Sequence, residues 1–151
     1  MVGASADQTA RIVDVASNGA PAHQVGGHDA PISSVRFFEN STMQPLIVTG
    51  SWDKTVRYWD LRQHRPLATI DLKDKVYSMD TQKKRLIVAT AGLRFSSINL
   101  DNPTNIEECP QISNLKGETR VVRCFPDARG FVAGSTGGKA AVFWLGGTND
   151  S

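Results

Sequence analysis

The chain has 151 residues, 40% hydrophobic and 21% charged, with a formal net charge of +2; this is the composition of one ordinary globular domain and excludes a disordered or strongly charged tail. No apolar run approaches the roughly 18 residues of a membrane-crossing helix, and the N-terminus lacks the basic-then-apolar order of a secretory signal. The 2 cysteines, Cys109 and Cys124, lack CxxC spacing and cannot build a disulfide framework, so a reducing compartment, cytoplasm or nucleus, fits best.

From the N-terminus, GASADQTARIVDV (3–15) opens with small residues, turns, and closes in an apolar strand. PISSVRFF (31–38) is a short alternating run, the mark of a strand with two different faces. TGSWDKTVRYWDL (49–61) then repeats the first pattern, KVYSMD (75–80) the second, ATAGLRFSSINL (89–100) the first, TRVVRCF (119–125) the second and AGSTGGKAAVFWL (133–145) the first. The alternating runs align as Val35-x-Phe37, Tyr77-x-Met79 and Val122-x-Cys124. The small-residue segments end at Val15, Leu61, Leu100 and Leu145, spaced by roughly the 40–45 residues of one propeller blade. Trp52-Asp53-Lys54 and Thr136-Gly137-Gly138 are suited to tight reversals. No 3.6-residue apolar stripe lasts beyond two turns. The expected fold is all-β, a WD-repeat β-propeller arc of about three to four blades and roughly a dozen strands, each unit running strand, turn, strand, tight turn, strand, connector. The blade pieces fall at about 1–26, 27–72, 73–115 and 116–151.

Gly27-His28 and Trp59-Asp60 are the GH and WD dipeptides of a WD repeat. They imply a buried hydrogen-bond relay: a histidine at the blade start, an aspartate in a tight turn, a middle-strand hydroxyl and a tryptophan N–H. The members here are His28, Asp53, Thr49 or Ser51 (Ser51 is the assigned hydroxyl), and Trp59. Such a set is stabilising only when every member is satisfied. Elsewhere Ile98-Asn99 and Phe143-Trp144 replace the WD pair. The units amount to three and a half blades, whereas closed propellers have four to eight. The sequence opens in mid-blade, with the strand pair before Gly3 missing, and stops in mid-blade. We therefore expect a fragment, a truncated gene model or an isoform, not a self-sufficient fold, or an arc completed by another.

GSWDKTVRYWDLRQHRPLATIDLKDKVYSMD, followed by RLIVATAGLRFSSINLDNPT, resembles the mRNA export factor family of nuclear-pore-associated propellers. That family shows a GSWDKT-x-[KR]-[YF]-WD strand, a Pro-bearing connector, a Y-[SA]-M-D strand, and VATA leading to an apolar strand and Leu-x-x-Pro. ETRVVRCFPDARGFVAGSTGGKAAVFW resembles its TR-C strand and GS-x-x-G-[RK] turn, so the resemblance covers 27–145. The family usually has Glu where Gly137 stands and Arg where Lys139 stands, and Trp144 is unusual. The resemblance implies a seven-bladed, non-enzymatic scaffold that binds a hairpin-like motif of an FG-repeat nucleoporin, supports mRNA export and contacts single-stranded RNA. It implies residence in the nucleus at the nuclear pore and envelope, and also in the cytoplasm, without membrane insertion. A sister family, the mitotic-checkpoint propellers that bind kinase motifs, is the near alternative; a substrate-receptor arc of a ubiquitin ligase is the third.

Arg120 and Lys139 align with the family's basic positions and are candidates for RNA phosphates or an acidic peptide; the plainer reading is solvated strand-end charge. Arg123, on the same run, is a further candidate, against snorkelling between blades. Trp52 is either a partner anchor or inter-blade packing; Tyr58 and Trp59 read as core. Lys83 to Arg85 is a basic run that suits nucleic acid or targeting, and more simply a solvated hairpin. His23, His28 and His64 have no Cys or carboxylate at metal-ligand spacing, so no metal or cofactor is expected. No catalytic triad or nucleophile signature is present. Gly134 to Lys139 fails the phosphate-loop spacing and lies between strands.

Overall fold

The computed structural model describes residues 1–14, 16, 21–63, 65–109 and 115–146; Val15 and His64 lie outside them. Among the described residues there are fourteen strands and no helix. The chain divides into two compact units, Met1–Val76 and Tyr77–Ser151.

The first unit holds β1 (Val2–Ala4), β2 (Thr9–Ile12), β3 (His23–Gly27), β4 (Ile32–Glu39), β5 (Pro45–Ser51), β6 (Thr55–Asp60) and β7 (Pro66–Asp71). They form two antiparallel sheets, ordered β1-β2-β3 and β4-β5-β6-β7. The β5–β6 register sets Ile47 opposite Trp59 and Thr49 opposite Arg57. Strand alternation therefore puts Ile47, Thr49, Arg57 and Trp59 on one face. That face carries the first core: Val25, Ile47 and Trp59, with Ile12 and Val35 packed against them. Gly26 lies under the Trp59 ring, where a Cβ would collide with the indole. The β3 strand is thus able to pass close only because position 26 has no side chain.

The second unit holds β8 (Val76–Gln82, entering at Tyr77), β9 (Arg85–Thr90), β10 (Arg94–Asn99), β11 (Asn102–Glu108), β12 (Thr119–Cys124), β13 (Gly130–Ser135) and β14 (Ala140–Trp144). Its sheets are ordered β11-β10-β9-β8 and β12-β13-β14. Ile87, Ala89 and Phe95 of one sheet bury against Val122, Phe131, Ala133 and Phe143 of the other, with Leu115 completing the cluster. Phe131 and Phe143 stack at 4.5 Å between centroids, and Phe95 tilts against both. The strands β8 and β12 run side by side in the same direction: Ser78 Oγ accepts from the Val122 N–H at 3.1 Å and Asp80 Oδ2 from the Cys124 N–H at 2.8 Å.

Three segments expected as connectors are strands. The outermost positions of their sheets are taken by β3, β7 and β11, which raises the strand number above the expected dozen. Their sequences hide this, because an outer strand that buries little shows no apolar alternation: in β3 only Val25 is buried, in β7 only Ile70 and in β11 none. In β11 (NPTNIEE) every residue is exposed except Pro103.

Candidate functional site

The relay is a buried chain of four side chains. His28 Nδ1 lies 2.8 Å from Asp53 Oδ2, and His28 Nε2 lies 2.7 Å from Thr49 Oγ1. Thr49 Oγ1 also accepts the Trp59 Nε1–H at 2.8 Å. One proton arrangement satisfies all of them: Nδ1–H donates to the carboxylate, and the Thr49 hydroxyl accepts from the indole and donates to Nε2. The imidazole is then neutral. Burial pushes its pKa below the usual histidine value, against the opposing pull of Asp53. Burial also works against the Asp53 carboxylate, but hydrogen bonds from the Thr55 hydroxyl, the Asp29 N–H and His28 outweigh it and hold its pKa at about 2.

Ser51 is not in this chain, and Thr49 takes the place assigned to it. Both hydroxyls lie on the same face of β5, but Ser51 sits two residues, roughly 6.6 Å, further along the strand. At that height it meets the turn. Its Oγ accepts the Asp53 N–H at 3.1 Å and donates to the Ala30 and Pro31 carbonyls at 3.0 Å. Only Thr49 is level with both the imidazole and the indole. The relay is spent on structure. His28 and Thr49 are buried, and Arg57 braces the loop by donating to the Gly27 carbonyl at 2.9 Å and to Asp29 at 3.0 Å.

A different chemistry appears at one end of the second unit. The connector 116–118 is laced to the β13–β14 turn: the Thr136 N–H donates to the Glu118 carbonyl, and the Glu118 N–H to Thr136 Oγ1, both at 2.9 Å. Lys116 rides on this connector, its carbonyl so close to Gly137 that a Cβ there would collide with it. This contact leaves no room for a side chain at position 137. Lys139 leaves the same turn, and its carbonyl accepts the Ser135 N–H at 2.9 Å. Arg120 stands in a β-bulge between Thr119 and Val121 of β12, which breaks the alternation and re-aims its side chain. Arg94 opens β10 at the same end, since Tyr77 OH at the start of β8 reaches Glu118 Oε1 at 3.1 Å. Lys116, Arg120, Lys139 and Arg94 are all exposed, and none has an ion-pair partner among the described residues.

The opposite end of the same unit contrasts with this. Lys84 pairs with Asp101 at 2.6 Å, Arg85 approaches Glu107 and Arg129 approaches Asp127, both at 3.9 Å, and Lys83 Nζ donates to the Asp127 carbonyl at 3.3 Å. Within the run Lys83 to Arg85, Lys84 and Arg85 thus face carboxylates and Lys83 a carbonyl, beside a cavity of about 120 Å³ lined by Lys84, Arg85, Ser97, Asn99, Asn105 and Glu107.

The structure brings Arg120 and Lys139 to one end and leaves Arg123 apart from them. Arg123 lies opposite Val132 on the uncovered face of its sheet, and its guanidinium donates to the Val122 carbonyl at 2.9 Å. That face also carries Val121, Val142 and Trp144, the last 69% exposed. The sequence reading missed Lys116 and Arg94, each a single charge beside a turn. Trp52 is exposed at the β5–β6 turn, while Tyr58 and Trp59 are buried. Among the described residues no group of three or more His, Cys, Asp or Glu side chains is placed to hold a metal. Burial, with Glu107 nearby, pushes the Cys109 thiol up to about 11, away from nucleophile chemistry. The segment Gly134 to Lys139 is the end of β13 and its turn.

The family model "WD domain, G-beta repeat" matches residues 19–60, which is β3 of one sheet followed by β4, β5 and β6 of the next. The repeat in sequence and the sheet in space are therefore offset by one strand. The chain is 46% identical over 146 residues to the WD40 repeat protein poxJ of Penicillium oxalicum, covering 96% of this chain and 42% of that one. It is 42% identical over 145 residues to the mRNA export factor GLE2 of Chaetomium thermophilum, covering 96% and 40%. It is 37% identical over 123 residues to the mitotic checkpoint protein BUB3.1 of Arabidopsis thaliana, covering 78% and 35%. The chain spans about two-fifths of the length of these curated relatives. Among solved structures, the computationally designed Ika4 protein matches with a TM-score of 0.75 at 16% identity, over 96% of this chain and 84% of that one. That last likeness speaks to fold alone: all-β, a partial propeller.

Proposed function

We propose that this chain, a stretch of WD-repeat propeller similar along nearly its whole length to the mRNA export factors, is a non-enzymatic scaffold that docks on a nucleoporin motif at the nuclear pore and contacts single-stranded RNA. It works in the nucleus and at the nuclear envelope, and also in the cytoplasm. The observation that carries the RNA contact is the asymmetry of the second unit. Lys116, Arg120, Lys139 and Arg94 are exposed and without an ion-pair partner at one end, while Lys84, Arg85 and Arg129 at the other end face carboxylates. Unpaired cations are the ones that release counterions when they meet phosphates. We read the chain as non-enzymatic: the His28–Asp53 pair, among the described residues, is held in the structural relay.

The test is charge reversal. Arg120→Glu with Lys139→Glu removes two phosphate contacts, so the slope of log affinity against log salt for single-stranded RNA falls by about 1.4. Lys84→Glu, in the paired hairpin, leaves the slope where it was. An unchanged slope in the double variant removes the basic end from the reading.

A second reading, a checkpoint-type scaffold that takes a kinase motif, is favoured by the similarity to BUB3.1, over a smaller share of the chain than the export factor. A pull-down separates the two: the export reading expects the FG-nucleoporin hairpin motif to be retained, the checkpoint reading the kinase motif. A substrate-receptor arc of a ubiquitin ligase retains neither.

A further inference from the structure

We propose that Trp52 is a stacking platform for an unpaired base of single-stranded nucleic acid, with Lys54 and Lys75 beside it for the adjoining phosphates. This rests on the RNA reading above and adds a second point of contact, within the first unit, with its own chemistry.

The turn that carries Trp52 is built twice in that unit, which supplies an internal control. Ser5-Ala6-Asp7-Gln8-Thr9 joins β1 to β2, and Ser51-Trp52-Asp53-Lys54-Thr55 joins β5 to β6. In the first, Asp7 Oδ1 accepts the Thr9 N–H at 3.0 Å and the Thr9 hydroxyl at 2.6 Å. In the second, Asp53 Oδ1 accepts the Thr55 N–H at 2.9 Å and the Thr55 hydroxyl at 2.7 Å. The fourth residue is left-handed in both, with φ of 71° at Gln8 and 69° at Lys54. Its N–H donates back to the serine carbonyl at 3.3 Å in both. Where one turn has Trp52, the other has Ala6. The turn therefore asks nothing of the indole, and small or polar residues suit such a position better.

Nor is the ring spent on the core. Trp52 is 44% exposed, whereas Trp59 is 2% exposed. An indole left in water without a structural duty is the informative kind of exposed residue. The Lys75 ammonium stands 5.3 Å from the ring centroid, and Lys54 is exposed at the next position but one. Of the carboxylates at this end, Asp53 is committed to His28 and Thr55 and Asp29 to Arg57, while Asp71 lies opposite Thr55 and Asp74 precedes Lys75. An exposed aromatic with lysines beside it is an arrangement that holds single strands: the ring takes a base face and the cations take the backbone. A ring on a single turn reaches a base only when that base is unstacked, so the ligand class is single-stranded, not duplex.

The experiment uses the full chain with Trp144→Phe, which leaves Trp52 as the one exposed tryptophan. A short oligouridylate is titrated in, with an RNA duplex of equal length and a polyglutamate peptide as alternatives. The expected result is quenching of tryptophan fluorescence by the single strand alone. Trp52→Ala, which recreates the first turn, abolishes the quenching and weakens binding about tenfold, with the salt slope unchanged. Trp52→Phe recovers most of the affinity. Unchanged affinity in Trp52→Ala overturns the platform and leaves the RNA reading standing. Equal quenching by duplex or by polyglutamate overturns it in favour of another ligand class. A parent chain that binds no oligonucleotide overturns the RNA reading and this inference with it.

Discussion

Thr49→Val is the sharpest probe of the relay, because it keeps the side-chain shape and removes only the hydroxyl. Thr49 is fully buried. Its oxygen accepts from Trp59 Nε1 at 2.8 Å and lies 2.7 Å from His28 Nε2. The valine leaves an indole N–H and an imidazole nitrogen buried with no partner in the relay. Each of the two orphaned buried polar groups costs about 1–3 kcal/mol, so the expected loss is roughly 2–6 kcal/mol. In a protein of this size that corresponds to a fall in Tm of roughly 4–24 °C, at about 2–4 °C per kcal/mol. Ser51→Ala removes bonds at the mouth of a turn, and costs about 1 kcal/mol. The assay is urea unfolding followed by tryptophan fluorescence on the two variants and the parent chain. A Thr49→Val loss under about 0.5 kcal/mol, or a larger loss in Ser51→Ala, refutes the assignment of the hydroxyl.

Three further outcomes follow from the same geometry. Because the folded pKa of His28 is depressed below its ordinary value of 6.5, its contribution to stability is complete above pH 6.5 and is lost as pH falls through and below that value. Asp53, held at about 2, adds a second loss below pH 4; urea midpoints measured between pH 8 and pH 3 should fall in these two windows, and a midpoint that rises on acidification contradicts the neutral-imidazole relay. Gly26→Ala drives a methyl into the Trp59 ring and should destabilise by about 1–3 kcal/mol, read as a lower urea midpoint with unchanged m-value. Tyr58→Phe deletes a buried hydroxyl that has no hydrogen-bond partner, so thermal unfolding should show stability equal to or slightly above the parent's.

Much of the fold is legible in the sequence because its strands have unequal faces. The alternation in 31–38, 75–80 and 119–125 marks β4, β8 and β12, and the S-x-D-x-T turns mark the β1–β2 and β5–β6 reversals. The outer strands β3, β7 and β11 are illegible because each buries at most one residue, which leaves no pattern to read. The relay is legible as a residue set, but choosing Thr49 over Ser51 needs height along the strand. Parity cannot supply that, since both residues share a face. Likewise Arg120 and Arg123 look alike in a run of letters. A bulge at Arg120 sends one to the end of the sheet and leaves the other on its side. Lys116 and Arg94 join the basic end only once the connector and the β9–β10 turn are folded to it.

Photo-crosslinking tests the account most directly. The full chain is irradiated with single-stranded RNA carrying 4-thiouridine, and the adducts are mapped by mass spectrometry. The account predicts adducts on residues 116–120 and 136–141 and on the Trp52 turn, with the paired hairpins at 83–85 and 126–129 clear. Adducts concentrated on those hairpins would contradict it.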